Sequence, residues 1–112
     1  MGKKTDYRKG IWGERYVALW LRLKGWQIIA RNYQSPLGEI DIIAKKGNIL
    51  CAFEVKLRQN TNDDPVSYQQ KQRIKHSFEA YIANEPQAAD EYRVDLIIYR
   101  PLFHVKHIKN AW

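Results

Sequence analysis

A chain of 112 residues, 45% hydrophobic and 12% aromatic, can bury one core without disulfide staples and is too apolar to be disordered. Nineteen Lys and Arg against twelve Asp and Glu leave a net charge of +7, which favours a polyanionic partner, nucleic acid before a membrane surface. The lone Cys51 excludes an internal disulfide and suits a reducing, cytoplasmic setting. No apolar run approaches the ~20 residues of a membrane span, and the basic start lacks the apolar stretch of a secretory signal.

The first predicted element is a helix over about residues 6–24, stopped by Gly25. At ~100° per residue, Glu14 falls among Ile11, Val17, Ala18 and Leu21. A carboxylate centred in an apolar sector needs a partner: a metal, an arginine or a backbone amide. The plainer alternative is an acid complementing the helix dipole. Trp12, Tyr16, Leu19 and Leu23 form a second apolar sector, so this helix is a candidate for cover on two sides and for a homodimer through helix one.

Strands are expected over residues 26–33 and 38–44, separated by the breakers Pro36 and Gly38, and again over 48–56 after the turn "KKGN". Strand side chains alternate faces. Glu39, Asp41 and Ile43 therefore share a face of the second strand, and Leu50, Ala52, Glu54 and Lys56 share a face of the third. Ile40, Ile42, Cys51, Phe53 and Val55 take the other side. A turn at Gly47-Asn48 sets Asp41 opposite Glu54, and one at Lys46-Gly47 sets them diagonal. A three-residue turn would separate them. Two carboxylates so close repel, and a divalent cation held by their oxygens removes the repulsion. Lys56, on the same face, can orient water or stabilise a developing oxyanion. The competing reading is an exposed face with surface salt bridges worth ~0–1 kcal/mol each.

Residues 57–65, "LRQNTNDDP", read as a loop. A second helix follows over about 66–84, with Ser67 and Gln70 spaced as a capping box. Lys71 borders its apolar stripe of Ile74 and Phe78, either as a phosphate contact or as a lysine whose stem covers apolar surface. Arg58, Arg73 and Lys75 are phosphate contacts or solvated charge. Strands over 92–99 and 103–108 close the chain. Arg93 and Asp95 share a face as an in-strand ion pair. His104 and His107 point to opposite faces and His76 lies far off, so the histidines make no zinc site. The order α-β-β-β-α-β-β predicts one α/β domain over residues 1–112, a mixed sheet with helices packed on it.

Glu14, "GEID" at 38–41 and "EVK" at 54–56 together resemble the PD-(D/E)XK nuclease superfamily. "GIWGERYVALWLRLKGW", "ARNYQSPLGEIDIIA", "FEVKLR", "YRVDLIIY" and the terminal "HIKNAW" resemble the YraN-like proteins, a mostly uncharacterised bacterial family distantly similar to archaeal Holliday-junction resolvases. The resemblance implies a restriction-endonuclease-like core and metal-dependent hydrolysis of DNA, branched DNA included. It implies Mg2+ or Mn2+ held by Asp41, Glu54 and the Val55 carbonyl, with Lys56 as catalytic lysine and Glu14 as the helix-one acid. Ile40 stands where the superfamily has proline, and Glu39 is placed to assist or substitute for Asp41. Two other expectations stand beside this one: a module of the same fold that binds nucleic acid without cutting it, and a protein-interaction scaffold using the aromatic side of helix one.

Overall fold

The computed structural model describes residues 2–57, 66–85, 89–100 and 104–111, with the side chains among them other than those of 2–12, 100 and 104. Its elements are α1 (Gly2–Leu23), β1 (Gln27–Ser35), β2 (Gly38–Lys46), β3 (Ile49–Leu57), α2 (Tyr68–Asn84), β4 (Glu91–Arg100) and β5 (His104–Ile108). The α/β order is the one expected. Helix α1 starts at Gly2 rather than near residue 6, and β1 runs on to Ser35. Helix α1 ends as expected at Gly25, where the chain turns left-handed at φ 97°. The Gly25 N–H reaches the Arg22 carbonyl at 3.0 Å and the Trp26 N–H reaches Leu21 at 2.9 Å, the paired bonds of a Schellman stop. Helix α2 starts at Tyr68 because Ser67 is its cap. The extended Ser67 accepts the Gln70 N–H on its Oγ at 3.1 Å.

The five strands form one sheet in the order β1-β2-β3-β4-β5. Strands β3 and β4 are parallel, and every other neighbouring pair is antiparallel. A parallel pair needs a crossover, and α2 supplies it. The helices cover opposite faces. Val17, Ala18 and Leu21 of α1 pack with Trp26, Ile42, Ala44, Cys51, Phe53 and Ile97. Ile74, Phe78 and Tyr81 of α2 pack with Ile40, Ile43, Leu50, Ala52 and Val94. A smaller cluster of Val66, Leu96 and Ile98 lies under Ile108 and Ala111.

One buried charge ties the last strands together. Asp95 is fully buried. Arg93 donates to it twice, at 3.2 and 2.8 Å, which is the expected in-strand pair. His107 Nε2 adds a bond at 2.7 Å and the Asn110 N–H another at 2.7 Å. Burial pushes this carboxyl up, but the bonds from His107, Arg93 and Asn110 outweigh it and hold the pKa at about 2. The chain end is thereby fastened to β4, and His107 is committed to the fold.

Candidate active site

The hairpin between β2 and β3 pairs Lys46 with Ile49, so Gly47-Asn48 is the two-residue turn of the first alternative. That register runs to Ile42–Phe53 and brings Asp41 level with Glu54. There the strands part. In place of a ladder bond, the Val55 N–H donates to Asp41 Oδ2 at 2.8 Å. An extended residue points its N–H and C=O to the same side, so the Val55 carbonyl projects into the same fork.

One expectation fails at this fork. Ile40 and Ile42 do not share a face: Ile42 packs under α1 and Ile40 under α2. An irregularity in β1 lies level with this change of face. Pairing of β1 with β2 runs through Arg31–Ile42 and resumes at Tyr33–Ile40, passing over Asn32 and Asp41. Asn32 has φ 53°, a left-handed conformation inside a strand. The alternation slips there, and Asp41 lands between the two layers instead of on a regular strand face.

The fork opens into a cleft of about 310 Å³ lined by Gly38, Glu39, Asp41, Glu54, Lys56 and, from α2, Gln70, Arg73 and Ile74. The turn end of β2 lies close against α2. Gly38, at φ 154°, lies where a Cβ would stand 3.2 Å from the Arg73 Cβ and 3.3 Å from Ser77 Oγ. Ser35 and Ser77 hydroxyls bond at 3.1 Å, fixing the β1–β2 turn to α2.

The acids in the cleft are strained against one another. Glu54 is only 5% exposed. Burial first, then the Asp41 charge, hold its carboxyl well above the usual range, and Lys56 opposes them only in part. Lys56 Nζ stands 3.4 Å from Glu54 Oε1. Glu14 reaches in from α1, pushed up to about 7 by burial and by Asp41, while the Asn32 amide works the other way. Burial and Asp41 also raise Glu39. Tyr99 is raised by burial and then by Glu14 and Asp41.

A hard cation fits this donor set. Asp41 Oδ2 accepts the Val55 N–H, Asp41 and Glu54 line the same cleft closely enough to shift the Glu54 carboxyl, and the Val55 carbonyl could serve as a third oxygen. Among the described residues no three of His, Cys, Asp and Glu form a ready cage. The set therefore suits an ion that keeps several waters, as magnesium does, rather than one enclosed by protein.

The predicted residues divide as follows. Glu39, Asp41, Glu54 and Lys56 meet in the cleft, and Glu14 borders Asp41 from behind. Arg73 lines the opposite wall. Lys71 and Lys75 stand on the same helix outside the lining, Lys71 half-buried and Lys75 exposed. Arg58 lies outside the described residues, as does the loop at 58–65. Asn32 and Gln70 are additions. Gln70 precedes Ile74 by one helical turn, so the apolar stripe of α2 already marked it as inward-facing. The expected reciprocal cap gives way to this: the backbone of Gln70 serves the cap, and its side chain lines the cleft. For Asn32 the signal was a polar Arg-Asn pair within an otherwise strand-like run.

Comparison with known proteins adds the lineage. The model of the "Uncharacterised protein family UPF0102" matches residues 13–99, which include every acid of the fork. The chain belongs to the UPF0102 family. A UPF0102 protein of Erythrobacter litoralis is 38% identical, covering 100% of this chain and 98% of the relative. One from Chelativorans sp. is 34% identical over 100% and 93%, and one from Ehrlichia ruminantium is 36% identical over 100% and 94%. The UPF0102 match also spans Asn32, Gln70 and Arg73, so the whole cleft lies within the family's shared region.

Proposed function

We propose that this chain is a metal-dependent nuclease that hydrolyses phosphodiester bonds in DNA, with branched or flapped DNA as the favoured substrate. The observation that carries the reading is the fork itself: two carboxylates, Asp41 and Glu54, left adjacent beside an ammonium at the floor of a cleft with a cationic wall. Asp41, Glu54 and the Val55 carbonyl would hold Mg2+ or Mn2+, which supplies an acidified water and charge neutralisation at the phosphorane. Lys56 places the attacking water and takes part of its charge. Arg73 holds a backbone phosphate across the cleft, with Lys71, Lys75 and Arg58 as further cations along the strand's path. Glu14 and Glu39, both raised by burial and by Asp41, would give up their protons more readily with a cation bound beside them.

The net charge of +7 supports a nucleic-acid partner, and the buried lone Cys51 supports a cytoplasmic location. No helix among the described residues is long and apolar enough to cross a membrane. Leu19 at 54% and Leu23 at 79% exposure leave an apolar strip on α1 that would serve a homodimer, bringing two sites to two strands.

The test uses purified protein, Mn2+ or Mg2+, and labelled flapped and four-way DNA. Cleavage by the parent chain, absent from Glu54→Ala and Lys56→Ala, supports the reading. Equal cleavage by the variants indicates a contaminant and ends it. A second reading draws on the lack of a three-acid cage among the described residues: a module that binds branched DNA without cutting. It predicts salt-sensitive binding that neither metal nor Glu54→Ala alters. Melting curves separate the two, because a true ion site raises the melting temperature with Mn2+ and loses the rise in Glu54→Ala.

A further inference from the structure

We infer that Asn32 is a positioning residue of this site: its left-handed backbone opens the β1–β2 ladder opposite Asp41, and its side-chain amide holds the Glu14 carboxylate against the fork. The inference rests on the nuclease reading for its consequence, but its geometry stands on independent observations. Asn32 is one of two described non-glycine residues with positive φ. It lies inside β1, where an extended conformation would be the ordinary one. Its position in the register is level with Asp41. Its side-chain amide lies near enough to Glu14 to draw that carboxyl's pKa down, and the charged neighbours of Glu14 are Asp41, Glu39 and Arg31.

Asparagine suits both duties. It tolerates the left-handed region better than other residues with a Cβ, and it carries an N–H donor. Glycine would supply the backbone without the donor, and glutamine the donor without the backbone. An outlier of this kind persists where its surroundings over-determine it, and such outliers cluster at functional sites. Without the amide, Glu14 would be free to swing to Arg31 or to solvent. Its carboxylate would then no longer shape the space between α1 and the fork. Asn32 touches neither the cleft nor, on this reading, the substrate, so its effect passes through Glu14.

The experiment compares Asn32→Gly, Glu14→Gln and the double variant. Asn32→Gly preserves the backbone and removes the amide alone. Removing the amide is expected to weaken Mn2+ binding, read as a rise in the metal concentration that half-completes the melting-temperature rise. In DNA cleavage the loss should fall on kcat, with KM unchanged. Adding Asn32→Gly to Glu14→Gln should cost nothing more. If Asn32→Gly matches the parent in both assays, or the two losses add in full, the inference is overturned. A second measurement needs no change at Asn32. One of its side-chain amide protons should exchange with water more slowly in the parent than in Glu14→Ala, and equal rates would overturn the contact. A parent chain with neither metal response nor cleavage removes the nuclease reading and this inference with it. A responding parent with an unaffected Asn32→Gly removes this inference alone.

Discussion

Glu54 and Asp95 show how partners decide the fate of two carboxylates that burial pushes the same way. Glu54 meets Asp41 and one amine, so it favours its proton; Asp95 meets a guanidinium, an imidazole and an N–H, so it sheds it. Their linkage to folding therefore has opposite sign. Glu54 and Glu14 bind protons more tightly folded than unfolded. The stability they carry is complete below their ordinary value of 4.5 and is lost as pH rises, through about 7 for Glu14. Metal-free protein should accordingly need less denaturant to unfold at pH 8 than at pH 5, and Glu54→Gln should flatten that slope. Denaturant midpoints across the range, with a chelator present, check this. Asp95 contributes stability that is present above its ordinary 3.8 and fades as pH falls toward 2. Asp95→Asn leaves Arg93 facing a neutral amide and should cost about 3–5 kcal/mol at neutral pH, measured by equilibrium unfolding.

At the scale of elements, the site depends on how closely α1 and α2 approach the sheet. A Cβ on Gly13 would overlap the hydroxyl and ring of Tyr99 on β4. Tyr99 packs against the α1 core, so it cannot simply swing away. Gly13→Ala should therefore lower stability by about 1–3 kcal/mol, the usual range for overpacking, and displace the neighbouring Glu14. A fall in melting temperature together with a weaker Mn2+ response would report both effects. On the other side, Ser67 determines where α2 begins, and through that where Gln70 and Arg73 stand. Ser67→Ala should cost about 1 kcal/mol, the typical value of a lost cap, in the same unfolding assay. The hairpin contributes differently. Its two-residue turn sets the register, and the parting of the strands after Ile42–Phe53 creates the cleft.

For the whole molecule, charge is the long-range property. An excess of seven positive charges sits on a body about 40 × 31 × 25 Å, while the cleft floor is acidic. A DNA strand drawn to the cationic rim would meet the acids only where an ion neutralises them, so metal and DNA should bind with positive coupling. If the proposed nucleic-acid reading holds, DNA affinity should fall linearly in log–log plots against salt. Arg73→Ala should reduce that slope by about 1 without changing sequence preference, as fluorescence anisotropy at several salt concentrations would show.

Much of this was legible along the chain. Period-two alternation and breakers placed the strands. Glycine after a helical run marked the stop at Gly25. The acids of "GEID" and "EVK" were bound to meet once a two-residue turn was adopted, because register then follows from counting. What counting could not supply was the face of Ile40, the left-handed backbone of Asn32 and the capture of His107 by Asp95. Each depends on a partner distant in the chain. A local pattern assumes that every residue continues the regular geometry of its neighbours. The break at Asn32 and Asp41 is of another kind: it gathers groups from four elements, with Asp41 accepting the Val55 N–H of β3 and Glu14 of α1 lying beside Asp41 and Asn32.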